Sequence, residues 1–373
     1  MSARTTPSFR RQAGLSLIEL MIAMVVGLIL MAGVLSIFLS SRQSYGINSA
    51  VAQVQENGRF GLYFISRSTR MAGFMGCGGG SNLANHLKSP ANTSLPYDFT
   101  TAITGFEYTS TAPTNAYALA GEAPAAVAVG NWSPTLANNF PTSGTGYPIP
   151  GSDVLVVRET PPVNTAAYVD GTQPPNGAQF WLTANPGLQS GDILVISNCV
   201  NTYVVQADSV NGAGGSHVVV NTGNSVSPGN DANGIPLNFI GAQVGAATTM
   251  VFYVGLGADQ SPALFEANTD ASQPNGLAIN ELVPGVENMQ LLYGIDTTGS
   301  QMPSQYVTAD NVANWSTVVS VKVALLTRSN TGALPLPAAA PIYTLEGTSI
   351  TVPRDTRLRR VFTATIGLRN RLP

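Results

Sequence analysis

The chain has 373 residues, a formal net charge of −3, 44% hydrophobic residues and only 10% charged ones. A soluble enzyme usually carries about 25% charged residues, so this composition excludes an ordinary charge-rich cytoplasmic enzyme. With 38 Gly, 25 Pro and abundant Asn, Thr and Ser, it suits an extracytoplasmic, β-rich protein with many turns.

The first 14 residues hold Arg4, Arg10 and Arg11 and no acid. From Leu15 to Leu39 the chain is apolar, with Glu19 as its single charge. At ~1.5 Å per residue this stretch reaches ~37 Å as a helix, enough to cross a ~30 Å hydrocarbon core. The basic leader predicts a cytoplasmic N-terminus and places the rest of the chain on the far side. A secretory signal peptide has an apolar region of about 7–15 residues followed by a small-residue cleavage site; this run is longer and lacks such a site. An uncleaved signal anchor remains open. Glu19 argues for more, because a carboxylate inside a span costs roughly 2.5–3.5 kcal/mol at the bilayer centre and calls for a partner. A cut after Gly14 would leave a free amine on Leu15, one turn from Glu19. The partner would then be an amine, in the same chain or in a neighbouring subunit. Alternatively, Glu19 complements the positive end of its own helix.

Residues 40–75 continue the helix in amphipathic form. Ile47, Val51, Val54, Gly58, Leu62 and Ile65 mark one face at the 3.6-residue period. Glu56, Arg59, Tyr63, Arg67 and Arg70 follow another. Gly46, Gly58 and Gly61 each cost roughly 1 kcal/mol relative to Ala, which indicates close packing or bending. Gly73, Gly76, Gly78, Gly79 and Gly80 end the helix.

Beyond residue 81 the pattern is strands and turns. Strands are predicted at Val154–Arg158, Gln179–Leu182, Ile193–Ser197, Tyr203–Gln206, His217–Asn221, Met250–Val254, Met289–Tyr293, Thr317–Thr327 and Val361–Leu368. Alternation in 318–325 predicts a half-buried strand, while 81–150 and 222–247 read as long surface loops. Between Pro90 and Thr317, Arg158 is the only lysine or arginine against sixteen acids. Arg354, Arg357, Arg359, Arg360, Arg369 and Arg371 then stand against Asp355. The bland reading is a solvated strand pair whose arginines meet the acidic head. The others are a docking face for an acidic neighbour, or a grip on DNA phosphates, which the lack of aromatic interleaving disfavours.

The basic leader, Gly14, an apolar residue and Glu19 five positions after the glycine resemble the class III signal of type IV pilins and type II secretion pseudopilins. The resemblance implies cleavage after Gly14 by a prepilin peptidase and N-methylation of Leu15, where the family usually has Phe. Gln53-Glu56-Asn57-Gly58-Arg59-Phe60 and Arg70-Met71-Ala72-Gly73-Phe74 narrow it to a resemblance to the PilW family of minor pilins. Ser152–Arg158, Gly191–Ile196, Arg360-Val361-Phe362 and Leu368-Arg369-Asn370 fit the same family.

Cys77 and Cys199 are the two cysteines. On the far side of a bacterial inner membrane such a pair favours a disulfide over a metal site, because two thiolates without nearby His make a poor zinc shell. Closing so long a loop is worth on the order of 5 kcal/mol in the chain-entropy model. His86 and His217 lie in no catalytic motif, and no nucleophile elbow, phosphate loop, dinucleotide fingerprint or zinc-protease motif is present. Asp231-x-Asn233-Gly234 and Asn268-x-Asp270-x-Ser272 touch calcium-loop chemistry without its full ligand set.

The expectation is therefore an α+β, pilin-like chain that is not an enzyme and has no cofactor or metal. Its parts are a leader (1–14), a membrane-spanning half-helix (15–39), an amphipathic half-helix (40–75) and a β-rich head (76–373). The resemblance implies a minor pilin that primes pilus assembly in a tip complex, supporting twitching and adhesion. Its partners would be other minor pilins, the major pilin and a large tip adhesin. It would wait in the inner membrane with a periplasmic head before joining the surface pilus. The alternatives are a type II secretion pseudopilin and a signal-anchored periplasmic binding protein or enzyme.

Overall fold

A computed structural model describes residues 16–77, 82–121, 124–126, 128–161, 166–171, 178–212, 216–222, 226–231 and 239–371. Gly14 and Leu15 lie outside the described residues. The chain divides into two compact units, Met1–Ala50 and Val51–Pro373. One α-helix, α1, runs from Leu17 to Met71.

In the first unit the large apolar side chains between Leu17 and Leu39 are exposed. By length and composition this stretch can cross a membrane. Hydrophobic groups on every side of a helix are at home in lipid, where the hydrocarbon removes them from water.

In the second unit α1 has two faces. Val54, Asn57, Gly58, Gly61, Ile65, Ser68 and Thr69 are buried, while Glu56, Arg59, Phe60, Tyr63, Arg67 and Arg70 are exposed. The buried face is narrow because glycine occupies its middle. A Cβ at Gly58 would lie 2.3 Å from the Phe362 ring, and one at Gly61 would lie 2.8 Å from Leu325 Cδ1. Gly58 and Gly61 therefore serve close packing, whereas a Cβ at Gly46 would meet none of the described residues within 4 Å. The helix ends at Met71, ahead of the residue-75 boundary expected from sequence. Gly73 takes φ +76° there, and its N–H turns to the carbonyl of Arg158 (2.9 Å).

Two antiparallel sheets form the main body. One has six strands in the order Leu277–Pro284, Pro262–Thr269, Thr248–Leu256, Val154–Glu159, Ile103–Tyr108 and Trp132–Ser133. The other has four, in the order Gln305–Val307, Val286–Ile295, Val318–Gly332 and Arg357–Gly367. Their facing side chains, including Leu155, Phe252, Leu264, Leu291 and Val323, share one core with Ile65 of α1 and Ala72 just past its end. A further sheet sets Leu83–Asn85 parallel to Thr202–Gln206, followed by Ile193–Ser197, Gln243–Ala246 and Ala167–Tyr168. Ser209–Asn211, His217–Val219 and Gln179–Trp181 make a small sheet over it, with Phe180, Val218 and Leu194 in a shared cluster.

Two expectations change. The stretches read as loops contain strands, at Leu83–Asn85, Ile103–Tyr108, Ala116–Ala118, Trp132–Ser133 and Gln243–Ala246. The Ile103–Tyr108 strand is masked by Gly105, a poor strand former. Glycine is required there because a Cβ would sit 1.8 Å from Tyr293 Oη. The Val318–Gly332 strand is buried on both faces over its first half, not half-buried. The hairpin of Ile342–Leu345 and Thr348–Thr351 supplies Leu345 and Ile350, which cover Ala324 and Leu326 on its outer face.

The two main sheets are joined through polar groups at Ser152 and Asp153. Asp153 Oδ1 accepts from the Tyr108 N–H (3.0 Å) and Oδ2 from the Leu291 N–H (2.8 Å), so one carboxylate ties both sheets. Ser152 Oγ accepts from the Met289 N–H (2.9 Å). Phe106 pairs with Val154, so the next step in register brings Glu107 opposite Asp153. Glu107 is 4% exposed and Asp153 1%. Burial, reinforced at Glu107 by Asp153 and Asp310, pushes both carboxyls up, further at Glu107. Two like charges cannot both persist there, so the pair retains a proton. Tyr293, whose buried Oη has no hydrogen-bond partner among the described residues, faces the same charges.

Gly58→Ala is expected to destabilise the chain by about 1–3 kcal/mol, although this change in a helix normally stabilises by roughly 1 kcal/mol. In a Phe362→Ala background the sign should revert; denaturant unfolding of the four variants reads this cycle. The acid pair gives a second prediction. Both folded values lie above the unfolded ones, so the stabilisation is complete below about pH 4 and is lost as pH rises through the folded values. Glu107→Gln removes that loss. Its melting temperature relative to wild type should rise steadily from about pH 5 to pH 9, and a difference independent of pH would refute the shared proton.

Candidate assembly site

Ser16 is the residue before the first turn of α1, and its Oγ accepts from the Glu19 N–H (3.3 Å). The Glu19 carboxylate reaches back to accept from the Ser16 N–H (3.0 Å). This reciprocal pair is a capping box, which satisfies two otherwise orphaned helix N–H groups. The Ser-x-x-Glu spacing signals it in sequence, yet Ser16 was not among the expected site residues. Glu19 thus stands at the positive end of α1, close to the expected cleavage point, and its side chain is occupied within its own helix. The cap is an addition to the two roles expected from sequence, complement to the positive end of the helix and partner for an amine.

The remaining family-like motifs converge on the joint between α1 and the sheets. Gln53 Oε1 accepts from the Asn330 N–H (3.1 Å), and Asn57 Nδ2 donates to the Pro284 carbonyl (2.8 Å). Asn370 Nδ2 donates to the Met71 and Ala72 carbonyls (3.2 Å each), capping the last turn of α1 with a residue from the other end of the sequence. Arg158 is buried and donates to Thr101 Oγ1 (3.1 Å) and Thr104 Oγ1 (3.2 Å). Burial lowers its guanidinium to about 10, with Asp98 opposing. Cys77, just past α1, is bonded to Cys199, 122 positions further along the chain, with Cα atoms 4.8 Å apart. The bond anchors the chain past the helix end beside the Ile193–Ser197 strand.

Of the C-terminal arginines, Arg359 meets an acid of the 90–317 stretch, Glu287, and does so in a buried network that Arg328 shares rather than a solvated one. Arg359 contacts Glu287 Oε2 through Nε (2.6 Å) and Asp355 Oδ1 through Nη1 (2.6 Å). Arg328 Nη1 contacts Glu287 Oε1 (3.1 Å). Burial opposes the Arg359 charge, yet hydrogen bonds to Asp355 and Glu287 outweigh it and raise the guanidinium above its usual range. Burial would raise Asp355, and the same Arg359 bond outweighs it to hold the carboxyl low. Arg357 donates to the Ser329 carbonyl (3.0 Å), and Arg360 lies over the Phe362 ring (5.5 Å).

The histidines are placed apart. His86 Nδ1 lies 3.1 Å from Asp231 Oδ1 with its ring on Tyr203. His217 stacks on Trp181 and contacts Gln179 (3.0 Å). Asp270 Oδ1 accepts from the Ser272 N–H (2.9 Å) as a turn does. Asn233 and Gly234 lie outside the described residues. Among the described residues no group of three or more His, Cys, Asp or Glu could hold a metal ion.

Two family models match the chain. The prokaryotic N-terminal methylation motif matches residues 9–35, and Type IV Pilus-assembly protein W matches residues 251–370. The second match takes in Glu287, Arg328, Arg359 and Asn370, whereas the Gln53–Phe60 stretch lies between the two. No curated protein sequence matches the chain. Among solved structures it is similar to the type IV-like pilin TTHA1219 from Thermus thermophilus, at 17% identity over 50% of this chain and 86% of that one. The TM-score of 0.22 is too low to carry an argument. With the methylation motif at one end and pilus-assembly protein W at the other, the chain matches a PilW-family type IV pilin.

Proposed function

We propose that this chain is a structural, non-enzymatic minor pilin that primes pilus assembly within a tip complex of minor pilins. The observation that carries the reading is the pairing of the methylation motif with a long apolar helix that opens on Glu19. A prepilin peptidase cuts after Gly14 and the new Leu15 amine is methylated. Before assembly the chain sits in the inner membrane with its N-terminus in the cytoplasm and its head in the periplasm. It then enters the surface pilus beside other minor pilins, the major pilin and a tip adhesin, and so supports twitching and adhesion. Glu19 pairs with the amine of a neighbouring subunit, because opposite charges in low dielectric attract strongly and each is costly alone. That pairing selects the register in which the apolar helices bundle.

The capping box supplies a test that separates the two roles of Glu19. Gln at this position keeps the cap but not the charge. Glu19→Gln and Glu19→Ala should both leave the chain in the membrane and absent from sheared pili, as read by immunoblot of the two fractions. Wild-type incorporation of Glu19→Gln, with loss only in Glu19→Ala, would make the cap its role and refute the pairing.

A further inference from the structure

The exposed face of α1 in the second unit carries three arginines and large rings, with the single acid Glu56 at its N-terminal edge. Arg59, Tyr63, Arg67 and Arg70 recur at steps of four, four and three, so they share a face about 16 Å long. Phe60, beside them, is 49% exposed and Tyr63 57%. Arg59 and Arg70 form no ion pair with any described residue. Arg67 lies within electrostatic reach of Glu159 and Glu266. Arg369 joins Tyr63, Arg67 and Arg70 around a hollow of about 490 Å³, with Glu159 at its wall. Glu159, whose carboxyl burial raises to about 7 despite Arg67, is about half ionised at neutral pH, and Glu266 also lines the hollow, so the three arginines around it leave a net positive charge.

The complement lies elsewhere in the same chain. Asp259 sits in the turn between Thr248–Leu256 and Pro262–Thr269, and Glu281 is on the neighbouring edge strand; both are exposed. Their carboxylates crowd one point, since a Cβ at Gly257 would lie 3.0 Å from Glu281 Oε2 and 3.1 Å from Asp259 Oδ1. Neither forms an ion pair with any described residue. The chain from 90 to 317 cannot neutralise them, because its single arginine, Arg158, is buried. Arginines with exposed rings face solvent at one place, and crowded carboxylates without a cation at another. We propose that the Arg59–Arg70 face of α1 docks the Asp259–Glu281 corner of a second copy of this chain. Such a contact joins two different patches, so copies associate head to tail, closing into a small ring or ending where another subunit covers one patch. Its charges set register and speed encounter, and the Phe60 and Tyr63 rings exclude water at its centre. The inference rests on the assembly reading above, but its test does not depend on Gly14 or Glu19.

Purified full-length chain in detergent is cross-linked at about 50 and 500 mM NaCl, on either side of physiological screening. Association should fall about tenfold or more at the higher salt. Arg59→Glu/Arg70→Glu and Asp259→Lys/Glu281→Lys should each lose association by a similar factor, while an equimolar mixture of the two regains it. Both variants replace exposed side chains and should keep the wild-type melting temperature within a few degrees. A mixture as weak as either variant alone would overturn the proposal, as would association indifferent to salt and reversal. Loss of nucleic-acid binding in the arginine variant with self-association unchanged would also overturn it. Peptidase processing that persists in both variants keeps the failure of this contact distinguishable from failure of the pilin reading.

Discussion

With glycine at 58, the Phe362 ring lies where a side chain would otherwise begin, and that contact sets how near α1 comes to the four-stranded sheet. Much else follows from this spacing. Gly61 admits Leu325 beside it, and Ile65 and Ala72 reach the core shared by both sheets. Polar groups then fix the helix along its length: Gln53 and Asn57 near its entry, Asn370 at its end. A helix held by small residues and directional bonds has a defined rotation, which a greasy stripe alone would not impose. That rotation decides which residues face the core and which remain on the outer face with Arg59 and Tyr63.

The sheets are held in register by a comparable economy of polar contacts. Asp153 accepts N–H groups from both sheets, while Glu287 gathers Arg328 and Arg359 from strands far apart in sequence. Buried charges of this kind are weak evidence for stability but strong constraints on pairing, since removing one partner strands the other. The acid pair at Glu107 and Asp153 is held by a proton instead of a cation. The head consequently depends on pH in a direction opposite to that of its Asp355 ion pair.

The N-terminal half of α1 was the most legible part of the sequence, because a long apolar run with one acid has few physical readings. The central strands were also legible, being rich in β-branched residues, as in 154–158 and 193–197. Ile103–Tyr108 was hidden because its central glycine serves a tertiary contact with Tyr293, not a turn. Leu277–Pro284 was hidden because Asn280 and Glu281, at the exposed middle of an edge strand, dilute its apolar pattern. The covering hairpin 342–351 made a strand buried on both faces out of one whose alternation implied a single buried face. Glycine at 58 could mean packing or bending until Phe362 was placed against it. Register alone brings Glu107 opposite Asp153, and register is a long-range property.

At the candidate assembly site, Glu19 stands out by its cost in an apolar run, while Ser16 is marked only by its capping spacing. The helix whose apolar half is long enough to cross a membrane begins with a satisfied first turn, and the head rests on the continuation of the same helix through small residues and polar clasps. The central claim is that this helix is an assembly element exposed by processing rather than a simple anchor. The intact mass and N-terminal sequence of the chain from membranes, with and without prepilin peptidase, test it most directly. A chain beginning at N-methylated Leu15 only when the peptidase is present is the result expected. A chain that still begins near Met1, or is cut beyond the apolar run, would contradict the account.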